Sequence, residues 1–333
     1  MRTVYIFILS FLFTAFSSAA QNSFPSAENA AANVVYPAGL QADVEYLCSE
    51  ICEGRASGTA GGSVASLWIR NRLAKWKLIP MEPDYYMLSR ENGNAPLFHS
   101  VGGMIESNFW LDNGKYIIVC SHSDGLGRLG EHLYPGADSN ASGVVATMKL
   151  AHLFSSMKML GRSGSTSLIF ILLDGKEKRS AGARDLVCRI KEGRFKDPRH
   201  GKIIREKDIR MLVNIDQIGS TLSPVHKEKC EYLLMLGNNR LENGLSETAS
   251  IIRRECGNKM DLAFDYYGSK DFTELFYRLA DREALGCCSC PMVFFTSGIT
   301  MNNNKTRDTP DTLDYDVMKE RILFIFHWLC RII

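Results

Sequence analysis

The sequence has little net charge and, after its first twenty residues, no long apolar run. Lysine and arginine number 39 against 37 aspartates and glutamates, a formal net charge of +2. This balance supplies no large field to hold nucleic acid or an anionic membrane. The locally basic segment 189–210 is interleaved with acidic residues, as on a solvated surface. A bilayer span needs about 20 apolar residues. The sequence therefore predicts no nucleic-acid partner and no stable membrane insertion.

Two common catalytic motifs are also missing. The absence of Gly-x-Ser-x-Gly argues against a serine hydrolase of the α/β type, and the absence of His-Glu-x-x-His excludes the zincin class. One Gly-x-Gly-x-x-Gly sequence occurs at 125–130, but a dinucleotide site also needs a helix there and an acidic residue about 20 positions on. Residues 145–155 contain no acidic residue, so we interpret 125–130 as a flexible loop.

The N-terminal residues are typical of a targeting segment. Arg2 precedes the apolar run 4–13, and small residues follow at 17–20. The run is shorter than a membrane span, so we predict a signal peptide over 1–20 and export to the periplasm or the extracellular space. An uncleaved anchor helix is the alternative. Residues 21–38 predict a flexible lead-in, and residues 39–333 a single domain.

The sequence is comparatively rich in cysteine. Ten cysteines are present, and an exported chain could oxidise some of them. Cys287, Cys288 and Cys290 resemble a metal cluster, but no second Cys or His pair lies at zinc-finger spacing. We therefore expect buried thiols or one or two disulfides, with the pairing left open.

Short apolar runs alternate with helical patterns over the rest of the chain. Five runs predict buried strands: 116–120, 168–173, 211–215, 232–236 and 292–295. Helical spacing begins at Val44, continues from a cap at Ser63 and recurs over 144–160, 241–255 and 315–333. Fully apolar strands between helices predict an α/β fold with a largely parallel sheet covered on both faces.

Polar groups follow three of these strands where each strand ends. His122 and Asp124 follow the first, Asp174 to Glu177 the second, and Asp216 the third. Ligands of open α/β sheets bind beyond the carboxyl ends of the strands. Imidazole and carboxylate together suit a hard or borderline cation, and Asp124 can also orient the ring of His122.

Six segments follow one another in a distinctive order: Glu53 to Thr59, His122 with Asp124, Gly136 to Gly143, Asp174 to Lys178, Asn214 to Gly219, and Asp308 to Asp311. In this order they resemble peptidase family M28, the di-zinc exopeptidases related to the glutaminyl cyclases. The resemblance runs from about Leu47 to the C-terminus. It implies a three-layer αβα sandwich around a mostly parallel, mixed sheet.

The resemblance also implies a hydrolase that acts on the amino terminus of a peptide or protein, with one or two zinc ions as cofactors. The metals would activate a water and polarise the scissile carbonyl. Carried onto this sequence, one metal would bind His122 and Asp216, and the other Glu177 and the residue at 308. The bridging carboxylate would lie at 139 and the general base at 176.

Three of these six positions differ from the family's residues. Ser139 is neutral where a carboxylate bridges the metals, Lys176 is a cation where a glutamate takes the proton, and Asp308 stands where the family has histidine. The net loss is about two negative charges. An ammonium ~5 Å from a dication in a partly buried cleft is repelled by several kcal/mol. We therefore expect that the full di-zinc centre does not form.

Alternatives remain open at the level of the residues. Asp138 could replace Ser139 as a ligand or could cap the turn, one metal could remain, or the Lys176 ammonium could replace a cation. The predicted function is an exported zinc aminopeptidase-like hydrolase with impaired activity. The alternatives are a non-catalytic peptide-binding relative and a glutaminyl-cyclase-like acyltransferase. Catalysis itself, oligomeric state and side-chain preference stay open.

Overall fold

The computed structural model of the chain describes residues 33–89, 97–223, 229–237, 245–255, 259–269, 271–274 and 281–333. The predicted signal peptide and residues 21–32 of the predicted lead-in lie outside the described residues. The first helix of the described residues begins at Pro37 rather than at Val44, because proline is well suited to the first helical position. Pro37 and Ala38 of the predicted lead-in are therefore helical. In the described part of the chain, no helix is long and apolar enough to cross a membrane.

The strands form one large sheet and one hairpin. In chain order they are β1 (Ile79–Pro80), β2 (Tyr86–Ser89), β3 (Phe98–Ile105), β4 (Tyr116–His122), β5 (Gly127–Leu129), β6 (His132–Tyr134), β7 (Ser167–Leu173), β8 (Ile209–Ile215), β9 (Tyr232–Gly237), β10 (Asp261–Ala263) and β11 (Met292–Thr296). Strands β5 and β6 pair as the hairpin, and the sheet follows the order β1-β3-β7-β4-β8-β11-β9-β10 with β2 beside β3. The central strands β7, β4, β8 and β11 are parallel, so their carboxyl ends meet at one edge.

Helices cover both faces of this sheet. In chain order they are α1 (Pro37–Cys48), α2 (Ala60–Lys75), α3 (Ser142–Met159), α4 (Ala181–Lys191), α5 (Leu245–Glu255), α6 (Arg282–Leu285) and α7 (Tyr315–Ile332). One core lies under α1, α2, α3, α5 and α7 and includes Val145 and Trp328. The other lies under α4 and α6 and includes Leu186 and Leu285. The predicted three-layer α/β sandwich is confirmed.

The five predicted strands correspond to β4, β7, β8, β9 and β11, each with slightly longer bounds. The apolar pattern does not predict β3, because Gly102 and Gly103 interrupt it. A Cβ at Gly103 would lie 2.9 Å from the Cβ of Leu78, so close packing requires glycine there. Two local predictions are wrong. The cap of α2 is Thr59, whose hydroxyl accepts from the Gly62 N–H, not Ser63, and residues 127–129 form a hairpin strand rather than a flexible loop.

The cysteines form no disulfide among the described residues. The nine that are described are thiols, and Cys256 lies outside this part of the chain. Burial raises the pKa of Cys48 to about 11, which keeps it an unreactive thiol near neutral pH. Within the described ranges, Cys287, Cys288 and Cys290 belong to no group of side chains that could hold a metal. Of the two alternatives left open, thiols or disulfides, the described cysteines are thiols.

A buried arginine ties the last helix to the sheet. Arg321 of α7 is fully buried. Its Nε donates to the Tyr232 carbonyl oxygen at 2.8 Å, and its Nη1 donates to the carbonyl oxygens of Ile218 (3.0 Å) and Ser220 (2.8 Å). These bonds hold α7 against β9 and against the segment that follows β8, next to the polar strand ends.

Substitution of this arginine should be costly. We expect Arg321→Leu to lower the free energy of unfolding by about 3 kcal/mol or more, because three buried carbonyl groups lose a charged donor. The matched variant Arg331→Leu, also on α7, removes an exposed ion pair with Glu255 of α5 and should cost less than about 1 kcal/mol. Urea unfolding of the two variants measures the difference. Equal losses of stability would contradict the role of Arg321 in holding α7 to the sheet.

Candidate functional site

The ends of β4 and β8 bring an imidazole and a carboxylate together. His122 is the last residue of β4, Asp216 follows the last residue of β8, and both side chains are buried. The Nε2 of His122 lies 3.4 Å from the Oδ1 of Asp216. No hydrogen bond is formed, so this oxygen is a buried acceptor without a donor. The two residues predicted to share a metal are adjacent because β4 and β8 are parallel neighbours.

Asp124 holds both the histidine ring and the next loop. The Nδ1 of His122 donates to the Asp124 carbonyl oxygen at 3.1 Å and lies 3.8 Å from its carboxylate. The carboxylate oxygens accept the backbone N–H groups of Lys176 (2.9 Å) and Glu177 (3.0 Å), in the loop after β7. The ring thus donates to the backbone carbonyl oxygen of Asp124, whereas the sequence predicts the orienting role for its carboxylate, which holds the loop after β7 instead.

The charges of this cluster depend on one another. Although burial lowers the pKa of His122, the carboxylates of Asp216 and Asp124 raise it to about 10, which makes the ring an imidazolium at neutral pH. Burial raises the pKa of Asp216, but His122 and then Lys176 hold it below its usual value. Lys176 is partly exposed and Glu177 is exposed, so both lie at the rim of the cleft. From there the Lys176 ammonium acts on Asp216.

Ser139 and Asp308 are both engaged within the protein. The Ser139 hydroxyl donates to the Oδ1 of Asn303 at 2.6 Å, and the Nε2 of Gln217 donates to the same oxygen at 3.1 Å. The Asp308 carboxylate accepts the backbone N–H of Asp138 at 2.8 Å on one oxygen and that of Ser139 at 3.0 Å on the other. Both side chains therefore shape the turn that precedes α3.

The Asp138 carboxylate bonds to the start of α3 and to the segment after β8. Its Oδ1 accepts from the Ser142 hydroxyl at 2.9 Å and from the Gly219 N–H at 2.8 Å, while its Oδ2 is buried without a partner. Of the two roles left open for Asp138, this geometry favours the cap at the start of α3 over the metal ligand.

Sequence reasoning overlooks the residue that joins these pieces, Asn140. Its Oδ1 accepts from the N–H groups of Gly143 (3.0 Å) and Gln217 (2.9 Å). Its Nδ2 donates to the carbonyl oxygens of His122 (3.3 Å) and Ile215 (3.4 Å). A Cβ at Gly143 would lie 2.2 Å from this Oδ1, so only glycine fits at the start of α3. The available signal is the Asn-Ala-Ser-Gly sequence directly after Ser139.

Arg55 is a second positioning residue that the sequence pattern does not single out. Its side chain is 1% exposed. Its guanidinium donates to four carbonyl oxygens, those of Leu47, Ser123, Pro135 and Gly136. Arg55 therefore fastens the loop after β4 to the turn that carries Ser139. Its signal is its place in the glycine-rich segment 53–59.

The donor set does not fit two zinc ions. Within the described ranges, no group of three or more His, Cys, Asp or Glu side chains is placed to hold a metal. The Nε2 of His122 and the unpartnered Oδ1 of Asp216 would suit one side of a single cation. Position 139 offers only a hydroxyl that already donates to Asn303, and Asp308 gives both oxygens to backbone amides. Zinc is therefore implied by resemblance rather than by the donors present.

Proteins similar to this chain include aminopeptidases and glutaminyl cyclases. The family model of peptidase family M28 matches residues 105–278, more than half of the chain. Similar solved structures include the LapA aminopeptidase of Legionella pneumophila (TM-score 0.67, 15% identity, covering 92% of this chain and 74% of that one). The zinc aminopeptidase BSAP from Bacillus subtilis (0.62, 12%, 89% and 94%) and the glutaminyl cyclase of Macrostomum lignano (0.66, 14%, 92% and 92%) are also similar. At these identities the likeness shows the fold alone. No curated protein matches the sequence.

The buried Asp138 should make stability depend on pH. Burial and then the Asp308 charge raise the pKa of Asp138 to about 7, whereas an unfolded aspartate titrates near ~3.9. Between these values the folded chain holds a proton that the unfolded chain has released, so this residue lowers stability as pH rises from about 4 to about 7. Asp138→Asn cannot titrate and can keep both bonds to Oδ1.

We therefore expect the variant to gain stability relative to the unmodified chain as pH rises from 5 to 8, by an amount on the order of a few kcal/mol. Urea unfolding at several pH values within this range measures the gain, with Asp316→Asn, at an exposed aspartate of α7, as the control. Parallel stability curves for Asp138→Asn and the unmodified chain would contradict the expectation.

Proposed function

Since this chain belongs to peptidase family M28, we propose that its cleft binds the amino terminus of a peptide, while the two-metal hydrolysis implied by the family is impaired or lost. The observation that carries the proposal is the state of positions 139 and 308. The Ser139 hydroxyl donates to Asn303, and the Asp308 carboxylate caps two backbone amides. Neither is left to bridge or complete a pair of zinc ions. We also propose that the chain is exported, on the signal-peptide pattern of residues 1–20.

The position of a general base supports the same proposal. Lys176 stands where a carboxylate would take a proton from water, and an ammonium has no lone pair with which to accept it. The Lys176 ammonium also lowers the pKa of Asp216, so its positive charge acts within the cleft. A dication at His122 and Asp216 would be repelled by this ammonium.

The acceptors that remain suit a protonated α-amine. The Oδ1 of Asp216 is buried without a hydrogen-bond donor. The Glu177 carboxylate is exposed, on the loop after β7 whose backbone is bonded to Asp124. A single ammonium needs fewer ligands than a metal and can satisfy an orphaned carboxylate oxygen directly. The glutaminyl-cyclase-like alternative is less favoured, because it looks to depend on a carboxylate at 139 and a histidine at 308.

Peptide binding tests the first half of the proposal. A tripeptide with a free amino terminus should bind at least tenfold more tightly than its N-acetylated form, a difference of about 1.4 kcal/mol. Asp216→Asn should remove this preference because the amide oxygen carries no charge, whereas Asp316→Asn should leave it unchanged. Isothermal titration of the full chain measures both affinities. Equal affinity for the two peptides, or a preference that survives in Asp216→Asn, would contradict peptide-amine recognition.

Metal analysis tests the second half. We expect less than one zinc per purified chain and no chelator-sensitive release of amino acids from short peptides. The combined variant Ser139→Asp, Lys176→Glu and Asp308→His should bind more zinc, because it restores a bridging carboxylate, a base and a histidine ligand. Addition of His122→Ala to this variant is the control and should abolish the gain. One or more zinc ions in the unmodified chain, with chelator-sensitive turnover, would reject the loss of hydrolysis, and unchanged zinc binding in the combined variant would refute the assigned positions.

A further inference from the structure

Three apolar side chains protrude from the loop between β3 and β4. Phe109 is 83% exposed, Trp110 is 87% exposed and Leu111 is 59% exposed. The rings of Phe109 and Trp110 contact each other edge to face, with centroids 5.3 Å apart. Scattered exposed apolar residues are ordinary, but a contiguous group on one loop marks an interaction surface. We call these three residues the apolar tip.

The loop that carries the apolar tip has a fixed shape. The N–H of Asn108 donates to the Gly164 carbonyl oxygen at 2.8 Å, and the N–H of Asn113 donates to that of Ser165 at 2.9 Å. The carboxylate of Asp112 accepts from the Ser107 hydroxyl (2.8 Å) and from the Gly114 N–H (3.1 Å). The apolar tip is therefore presented by a hydrogen-bonded turn and pays little ordering cost on contact with a surface.

Exposed lysines lie beside the same loop. Lys202 donates from Nζ to the Gly114 carbonyl oxygen at 3.4 Å, and Lys115 donates from Nζ to the Lys207 carbonyl oxygen at 2.8 Å. We call Lys115, Lys202 and Lys207 the basic rim. Two of its members belong to the locally basic segment 189–210 of the sequence analysis. The fold thus brings that segment next to the apolar tip.

Most acidic groups of this region are half-buried or paired within the protein. Glu106 forms ion pairs with Lys158 and Arg199, and the Asp112 carboxylate serves the turn itself. Asp197 is buried and accepts from the Tyr116 hydroxyl at 2.8 Å. Glu206 and Asp208, which flank Lys207, are half-buried, and the Asp208 carboxylate accepts the backbone N–H of Arg205. Asp112 keeps its charge at the surface, but the three exposed lysines of the basic rim outnumber this exposed carboxylate.

We propose that the apolar tip and the basic rim dock this protein on an anionic lipid surface. Trp and Phe side chains partition to the interface of a bilayer, and each nearby lysine adds attraction to anionic headgroups. The side chains project from a turn rather than line a groove, which suits shallow insertion among headgroups better than the capture of a peptide. This is peripheral contact, and it needs no membrane-spanning segment.

The position of the apolar tip leaves the cleft open. The tip precedes Tyr116 at the start of β4, and the cleft follows His122 at its end. A strand of this length separates its two ends by about 20 Å. Docking through the tip therefore orients the polar strand ends away from the lipid, toward solvent and toward peptides in it.

Vesicle sedimentation tests the proposal. The full chain should sediment with vesicles that contain phosphatidylglycerol and not with pure phosphatidylcholine vesicles, and high salt should weaken the binding. Because every variant keeps the same N-terminus, differences between variants report on the docking surface. Trp110→Ala and the pair Lys202→Glu with Lys207→Glu should each lower the partition coefficient by about tenfold or more.

Two matched controls remove an apolar side chain and reverse a charge elsewhere. Ile51→Ala alters a residue that is 64% exposed, and Lys305→Glu alters an exposed lysine in the segment before Asp308. Both should bind vesicles as the unmodified chain does, and circular dichroism establishes that all variants are folded. Failure of the full chain to bind anionic vesicles, or equal losses in the controls, would overturn the proposal. The proposal would also be overturned if light scattering without lipid showed that Trp110→Ala changes the oligomeric state. The apolar tip would then contact a second copy of the chain rather than lipid.

Discussion

The arrangement of the cleft depends on one buried side-chain amide, that of Asn140. Both of its donor hydrogens and both of its acceptor positions are used, so it is a fully satisfied polar group in the interior. It joins the end of β4, the end of β8 and the beginning of α3. His122 and Asp216 meet because the two strand ends are held at this spacing. Ser139 precedes the same residue and is placed by it.

A second constraint is the balance of charge at the strand ends. Asp124 and Asp216 are buried, and buried carboxylates need cations or donors. The chain supplies these from within, through the imidazolium of His122, the ammonium of Lys176 and the backbone N–H groups that Asp124 accepts. These cations offset the charge of the two carboxylates, but the Oδ1 of Asp216 still has no hydrogen-bond donor. Lys176 therefore supplies charge to the pocket without completing its hydrogen bonds.

The sequence predicts the sheet better than it predicts the site. Apolar runs identify β4, β7, β8, β9 and β11, because buried parallel strands leave no polar face to obscure the pattern. Strand β3 is missed because Gly102 and Gly103, which close packing requires, interrupt the apolar pattern. Order along the chain predicts that His122 and Asp216 converge, since neighbouring parallel strands end together.

What the sequence could not supply is the direction of the polar side chains. Asp138 and Ser139 are adjacent in sequence, yet one is directed at Gly219 and the other at Asn303. The roles of Asn140 and Arg55 rest on carbonyl oxygens, which every residue carries and no composition pattern marks. Such contacts depend on the backbone path of the finished fold.

The double use of Asp308 has an evolutionary consequence. This carboxylate caps the amides of the turn that holds Ser139, so an exchange of Asp308 alone for histidine would strip the turn of two acceptors before any ligand is gained. An exchange of Ser139 alone for aspartate would set a new anion beside Asp308. Each single step toward the residues that the family has at 139 and 308 is thus unfavourable without the other. Such reciprocal dependence couples the two positions, so that they can change toward the family's pair only together.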